Sequence, residues 1–137
     1  MARPIVVGID GSEGSGVAVS EAAKLSGDLG AKVYVVFGYE QARVAEIKDH
    51  AQAVEELGIE VGSDAIEQLN ELGVTSELRI VNLAAVDALT TVADEVDAQM
   101  IVVANYGDSP LKGVILGSTP YKLLHISTRP VLVVHAT

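Results

Sequence analysis

MIVVANYGDSPLKGVILGST, residues 100–119, changes character twice, and those two changes decide how the chain is read. Met100 to Ala104 is a short apolar run, Asn105 begins a segment rich in turn formers, and the Gly117-Ser118-Thr119 step opens a further amphipathic stretch. That order is a strand, a loop and a helix start. Backbone N–H groups in the first turn of a helix have no intrahelical partner, and glycines beside them let a ligand approach the chain closely. A segment built in this way suits an anion such as phosphate. The loop between Gly107 and Gly117 is too short for a domain and too polar at its start for a core, so binding is its most economical use.

Working outward, the same alternation continues on both sides. Before the loop, Val86, Leu89, Val92, Ala93 and Val96 recur at helical spacing within Ala84 to Val96; after it, Ser118 to about Ile126 forms a closing helix. Arg129 to His135 (RPVLVVH) then supplies a last strand with Pro130 at its start, a tolerated place. Further upstream, Val74 to Val81 alternates with Thr75, Glu77 and Arg79 on one face, which suits a sheet edge. Pro4 to Asp10 (PIVVGID) and Lys32 to Tyr39 (KVYVVFGY) are nearly uninterrupted apolar runs, the pattern of strands covered on both faces.

Between those two strands, Gly11 and Ser12 turn the chain and Ser12 or Ser15 offers a helix cap. The helix shows Val17, Val19, Ala22, Ala23 and Leu25 as its apolar positions, and Gly27 and Gly30 stop it. From Glu40 to Leu72 the chain is acidic and helical, in two stripes. Ala45, Ile47, Ala51, Val54 and Leu57 precede Gly58, and Ala65, Ile66, Leu69 and Leu72 lie between Ser63 and Gly73. The acids of this stretch read as a solvated face.

Five strands alternating with helices predict one doubly wound α/β domain over residues 1–137, with right-handed crossovers and helices on both faces of the sheet. Ligands of such sheets bind beyond the carboxyl ends of the strands, where the strand order reverses. With strands one and four adjoining at that switch, Asp10 meets the turn from Ala104 to Gly107 at one crevice.

Composition narrows the partners. The chain has 137 residues, 49% of them hydrophobic, which is enough to bury a core. Its formal net charge of −10 repels nucleic acid and anionic lipid surfaces, so neither is an expected partner. There is no cysteine, which removes disulfides, thiolate nucleophiles and cysteine-held metals. No apolar run approaches the roughly 18 residues of a membrane span, and the opening MARPIVVGID is unlike a signal peptide; the reading is a cytoplasmic protein.

Three stretches carry a resemblance that covers essentially the whole chain. IVVGIDGS (5–12), VDALTTVADEVDAQMIVV (86–103) and GVILGSTPYKLLHISTRPVLVV (113–134) together resemble the universal stress protein family. Nucleotide-binding members of that family carry Gly-x-x-Gly, nine residues, then Gly and Ser or Thr. Here Gly107, residues 108–116 and Gly117-Ser118 reproduce it, while Ala104 replaces the first glycine. Asn82 stands where the family usually has glycine after the third strand, and Ala85 where proline is common.

The resemblance implies a Rossmann-like, mostly parallel sheet of order 3-2-1-4-5. It implies that Ile9 and Asp10 contact base and ribose and that Gly107, Gly117, Ser118 and Thr119 hold phosphates, with Val103 and Ala104 completing the nucleotide-binding set. It names ATP first, accompanied by Mg2+ where ATP is bound, and cyclic AMP second. It further implies a stress-response sensor or binding module, dimerising with itself through the last strand, with a non-binding dimeric interaction protein as the alternative.

No feature of the sequence asks for catalysis. Gly-Lys-Ser and Gly-Lys-Thr are absent, and no carboxylate pair for magnesium stands beside the loop. His50, His125 and His135 have no metal-ligand spacing between them. Gly107-Asp108-Ser109 is similar to the serine motif of one esterase group, but it follows the fourth strand instead of the first and leads into Pro110. The expectation is a binding protein with no catalytic residue and no metal ligand.

Overall fold

The computed structural model describes residues 2–40, 50–105 and 118–135. Strands β1 (Ile5–Gly8), β2 (Val33–Gly38), β3 (Ser76–Val81), β4 (Met100–Ala104) and β5 (Val131–Val134) alternate with helices α1 (Glu13–Leu29), α2 (His50–Glu71), α3 (Ala85–Val96) and α4 (Ser118–Ile126). The sheet order is β3-β2-β1-β4-β5, as the resemblance implies. Every pairing is parallel: Ile5 opposes Val33 on one side and Met100 on the other, Val33 opposes Ser76, and Ile101 opposes Val131.

The central strand explains the layering. Along β1 and the residue after its end, Ile5, Val7 and Ile9 enter one apolar cluster with Ala18, Val19, Ala22 and Ala23 of α1 and Ala65 and Leu69 of α2. Val6 points the other way, into a cluster with Val86, Leu89 and Val92 of α3 and Leu123 of α4. Period-two alternation in a strand buried on both sides therefore fills two cores at once. Val6 and Val7 are wholly buried, each worth about 2 kcal/mol of apolar burial.

Three readings of the sequence change. Gly58 does not end a helix: α2 runs unbroken from His50 to Glu71, through Gly58, Gly62 and Ser63. A side chain at either glycine would run into a neighbour, Phe37 for Gly58 and Leu78 for Gly62, so these positions let the helix lie directly on β2 and β3. In α1, Val19, Ala22, Ala23 and Leu25 pack inward as expected, but Val17 is exposed and Ser15, Ala18 and Ser26 are buried in addition. That helix also passes through Gly27 and stops at Gly30, whose left-handed backbone (φ 67°) returns its N–H to the Ser26 carbonyl. The part of the expected acidic helix at 41–49 lies outside the described residues.

Candidate functional site

Because all strands run one way and the helices return, every helix starts at the carboxyl end of the sheet. From β1 the chain proceeds outward to β2 and β3, then crosses back to β4 and β5, so the order reverses between β1 and β4. The crevice of a doubly wound sheet opens at that place.

Ile9 and Asp10 emerge there from β1. The Ile9 N–H donates to the Val36 carbonyl at 3.0 Å, extending the ladder past Gly8, and its side chain is buried on the α1 side. Asp10 is exposed, and its Oδ1 accepts the Ser12 N–H at 2.9 Å. Gly11 between them has φ 86°, a conformation open to glycine at little cost, and the space a side chain would take is filled by Val61 of α2. Ser12 is the cap of α1: its Oγ accepts the Ser15 N–H at 3.1 Å. Of the two serines read as cap candidates, Ser12 has the role, and Ser15 receives its service.

On the neighbouring strand, Val103 and Ala104 end β4. Val103 is buried in the α3 layer, whereas Ala104 packs at the edge of the α1 layer, in the cluster that holds Ile9. The β1–β4 register, Val7 opposite Val102, continues to bring Ile9 across from Ala104. Ala104 pairs with Val134 as extended strand, and among the described residues Asp97 alone is a non-glycine with positive φ. Alanine therefore needs no special backbone at position 104, and Asn82 adopts none of the left-handed geometry for which glycine is the usual choice.

Ser118 and Thr119 are the first residues of α4, at the same end of the sheet, and Thr119 is half-buried. Gly107 and Gly117 lie outside the described residues. The structure thus brings Ile9, Asp10, Val103 and Ala104 to adjoining strand ends and sets the start of α4 at their end of the sheet.

Two residues at this end of the sheet had no functional reading in the sequence. Tyr39, half-buried, follows the carboxyl end of β2 with its ring 6.5 Å from that of Phe37. Val61 supports the Asp10–Ser12 turn from α2. An aromatic after a buried strand could have marked Tyr39; no local signal marks Val61. Among the described residues no group of His, Asp or Glu is placed to hold a metal ion, and no helix is long and apolar enough to cross a membrane.

Known proteins with this architecture are similar throughout. The model of the universal stress protein family matches residues 1–135. Universal stress protein Rv1636 of Mycobacterium tuberculosis is 38% identical over 143 residues, covering 98% of this chain and 97% of the relative. A solved universal stress protein in complex with cAMP superposes with a TM-score of 0.76 at 32% identity, over 100% of both chains. The universal stress protein of Archaeoglobus fulgidus in complex with dAMP gives 0.74 at 25% identity, over 95% of each. With the family's pattern along the whole sequence and its sheet order in the structure, this chain belongs to the universal stress protein family.

Proposed function

We propose that this protein is a cytoplasmic stress-response module that binds an adenine nucleotide at the β1–β4 crevice. Ile9 and Asp10 receive base and ribose, Val103 and Ala104 form the neighbouring strand end, and Gly107, Gly117, Ser118 and Thr119 receive phosphate. The observation that carries the reading is the position of Asp10: an exposed carboxylate at the end of the central strand, beside the point where the sheet order reverses. Two similar structures have cAMP and dAMP bound, and both ligands are adenine nucleotides. ATP, the first ligand implied by the family pattern, and cyclic AMP share the base and ribose that Asp10 would meet. Mg2+ belongs to this reading as the companion of ATP. Binding rather than turnover is the work of the site.

We also propose self-association through β5. The two edges of the sheet differ: β3 bears Glu77 and Arg79, whereas β5 reads VLVV with no charge along it. Charges on an edge discourage pairing, and a bare apolar edge invites it. Leu132 is 36% exposed on this edge, and Tyr121, Leu124 and Ile126 of the preceding α4 are exposed as well.

Titration calorimetry with ATP and with cyclic AMP tests the site. Gly117→Val is expected to weaken binding at least tenfold with the melting temperature retained; equal affinity in variant and wild type would place the ligand elsewhere. A purely interacting dimer, favoured by the exposed α4 and β5 residues, would instead gain no melting temperature from millimolar nucleotide.

A further inference from the structure

We infer that a cavity at the amino end of the sheet binds a small apolar α-amino acid as its zwitterion. The cavity lies at the opposite end of the strands from the β1–β4 crevice, and the inference does not depend on the nucleotide reading.

The cavity has a volume of about 240 Å³ and lies between the second half of α3, the start of β4 and the turn that leads from α4 into β5. Its residue types decide what it can hold. Ile101 and Ile126 are apolar, Thr90 and Thr128 carry hydroxyls, and Asp94 and Arg129 carry opposite charges. Ile101 is wholly buried and forms the base, while Ile126, the last residue of α4, is 54% exposed. At about 30 Å³ for each molecule of liquid water the space equals roughly eight waters, which is room for a branched-chain amino acid.

Arg129 is fixed by its neighbours. Ser127 Oγ accepts its backbone N–H at 3.1 Å and donates to its carbonyl oxygen at 2.8 Å. In the side chain, Nε donates to Asp94 Oδ1 at 3.3 Å, and Nη1 donates to Asp97 Oδ1 at 3.1 Å and to the Ala98 carbonyl at 2.7 Å. These bonds set the plane of the guanidinium, and Nη2 carries its remaining pair of N–H donors. Asp94 meets Arg129 through Oδ1 and its side chain is 69% exposed, so its second oxygen can serve a ligand.

A ligand with one charge is poorly matched here. A carboxylate gains Arg129 but meets Asp94, and also Asp97, which shares that arginine; an ammonium gains Asp94 but meets Arg129. Like charges within about 4–6 Å weigh against either ion. An α-amino acid carries both charges, held apart by a single carbon, and the Asp94–Arg129 pair presents its own two charges 3.3 Å apart. Its ammonium on Asp94 and its carboxylate on Arg129 engage both at once, as charge-assisted hydrogen bonds, with the Thr128 hydroxyl as a further donor. The two isoleucines then receive an apolar side chain, which releases water from their surfaces.

Amide NMR spectra of the whole protein titrated with L-leucine test this. The expected result is saturable shifts at residues 90–94 and 126–129 below about 20 mM ligand. Three further probes take the recognition apart: isoamylamine lacks the carboxylate, isocaproate lacks the ammonium, and ε-aminocaproate holds its two charges too far apart. Each should bind at least tenfold more weakly than L-leucine. Asp94→Asn should weaken L-leucine at least fivefold. Thr90→Leu, which fills the cavity from a half-buried position on α3, should abolish the shifts with melting changed by less than about 3 °C. Should that variant fail to fold, the comparison of the four probes on the wild type decides. No shifts with L-leucine, shifts away from those residues, equal binding of isoamylamine or isocaproate, or undiminished binding by folded Thr90→Leu overturns the inference.

Discussion

Asp10 Oδ1 accepts the backbone N–H of Ser12 at 2.9 Å, so the carboxylate assigned to the ribose also closes the turn that starts α1. The two roles separate by substitution. Asparagine keeps an oxygen for the Ser12 N–H and loses the charge; alanine loses both. Hydrogen bonds to a charged group are worth about 1.5–3 kcal/mol, so Asp10→Asn should weaken nucleotide binding about tenfold to a hundredfold. Its melting temperature should stay within about 2 °C of wild type, while Asp10→Ala should fall further. Calorimetry and a thermal melt of the two variants check this; unchanged affinity in Asp10→Asn would remove the carboxylate from the site.

Gly38, at the end of β2, has φ in the ordinary range, so its importance lies in space. A methyl there would stand 2.8 Å from Ala88 Cβ, 2.9 Å from the Leu83 carbonyl oxygen and 3.0 Å from Ala85 Cα. Two of these are backbone atoms at the start of α3, and they cannot rotate aside. Gly38→Ala is expected to cost about 1–3 kcal/mol as overpacking, or roughly 3–10 °C in melting temperature. Denaturant unfolding of the variant measures it, and a loss below about 0.5 kcal/mol would mean that α3 shifts freely on the sheet.

The strands were legible because burial on both faces leaves a compositional trace: PIVVGID and KVYVVFGY have few residues that could face water. The continuity of α2 was not. Gly58 reads locally as a stop, and what makes it part of the helix is the ring of Phe37, 21 residues earlier in the chain and on another element. The exposure of Val17 is of the same kind: Val19, Ala22 and Ala23 pack inward as expected, but the buried face also takes in small Ser15 and Ser26. At the site, the strand at 100–104 and the helix start at 118 were readable from residue types alone, and 106–117 lie outside the described residues. The meeting of Ile9 and Ala104 was not, because it depends on β4 crossing back to lie against β1, which no local spacing records. The family pattern supplied that order.

Leu132 tests the open edge. It is opposed to Val102 within the sheet, and 36% of it is exposed, so an acid at this position can reach water without disturbing the core. In a dimer paired through β5, Leu132→Asp would set two like charges near the symmetry axis. Light scattering after size exclusion should give a dimer for the wild type and a monomer for the variant at the same concentration, with melting changed by less than about 5 °C. A variant that stays dimeric would move the interface away from this strand.

Asp97 governs the acid response of the opposite end. It caps α3 in the left-handed region (φ 53°), and its Oδ1 takes both Arg129 and Arg3 at 3.1 Å. The bond from the Arg129 guanidinium, then the charge of Arg3, hold its carboxyl below the usual value. A group whose pKa is lowered on folding contributes stability that is complete above its unfolded value and is lost as pH falls through the folded one. Asparagine tolerates the left-handed backbone, so Asp97→Asn isolates the charge. Its melting temperature should lie below wild type at pH 7, with the gap narrowing as pH falls below the usual carboxylate range and closing once Asp97 is protonated in the folded protein too. Because the side chain is 72% exposed, about 0.5 M NaCl should also shrink the gap at pH 7. A difference that persisted unchanged at low pH would mean that Asp97 serves through its backbone shape and not through its two arginines.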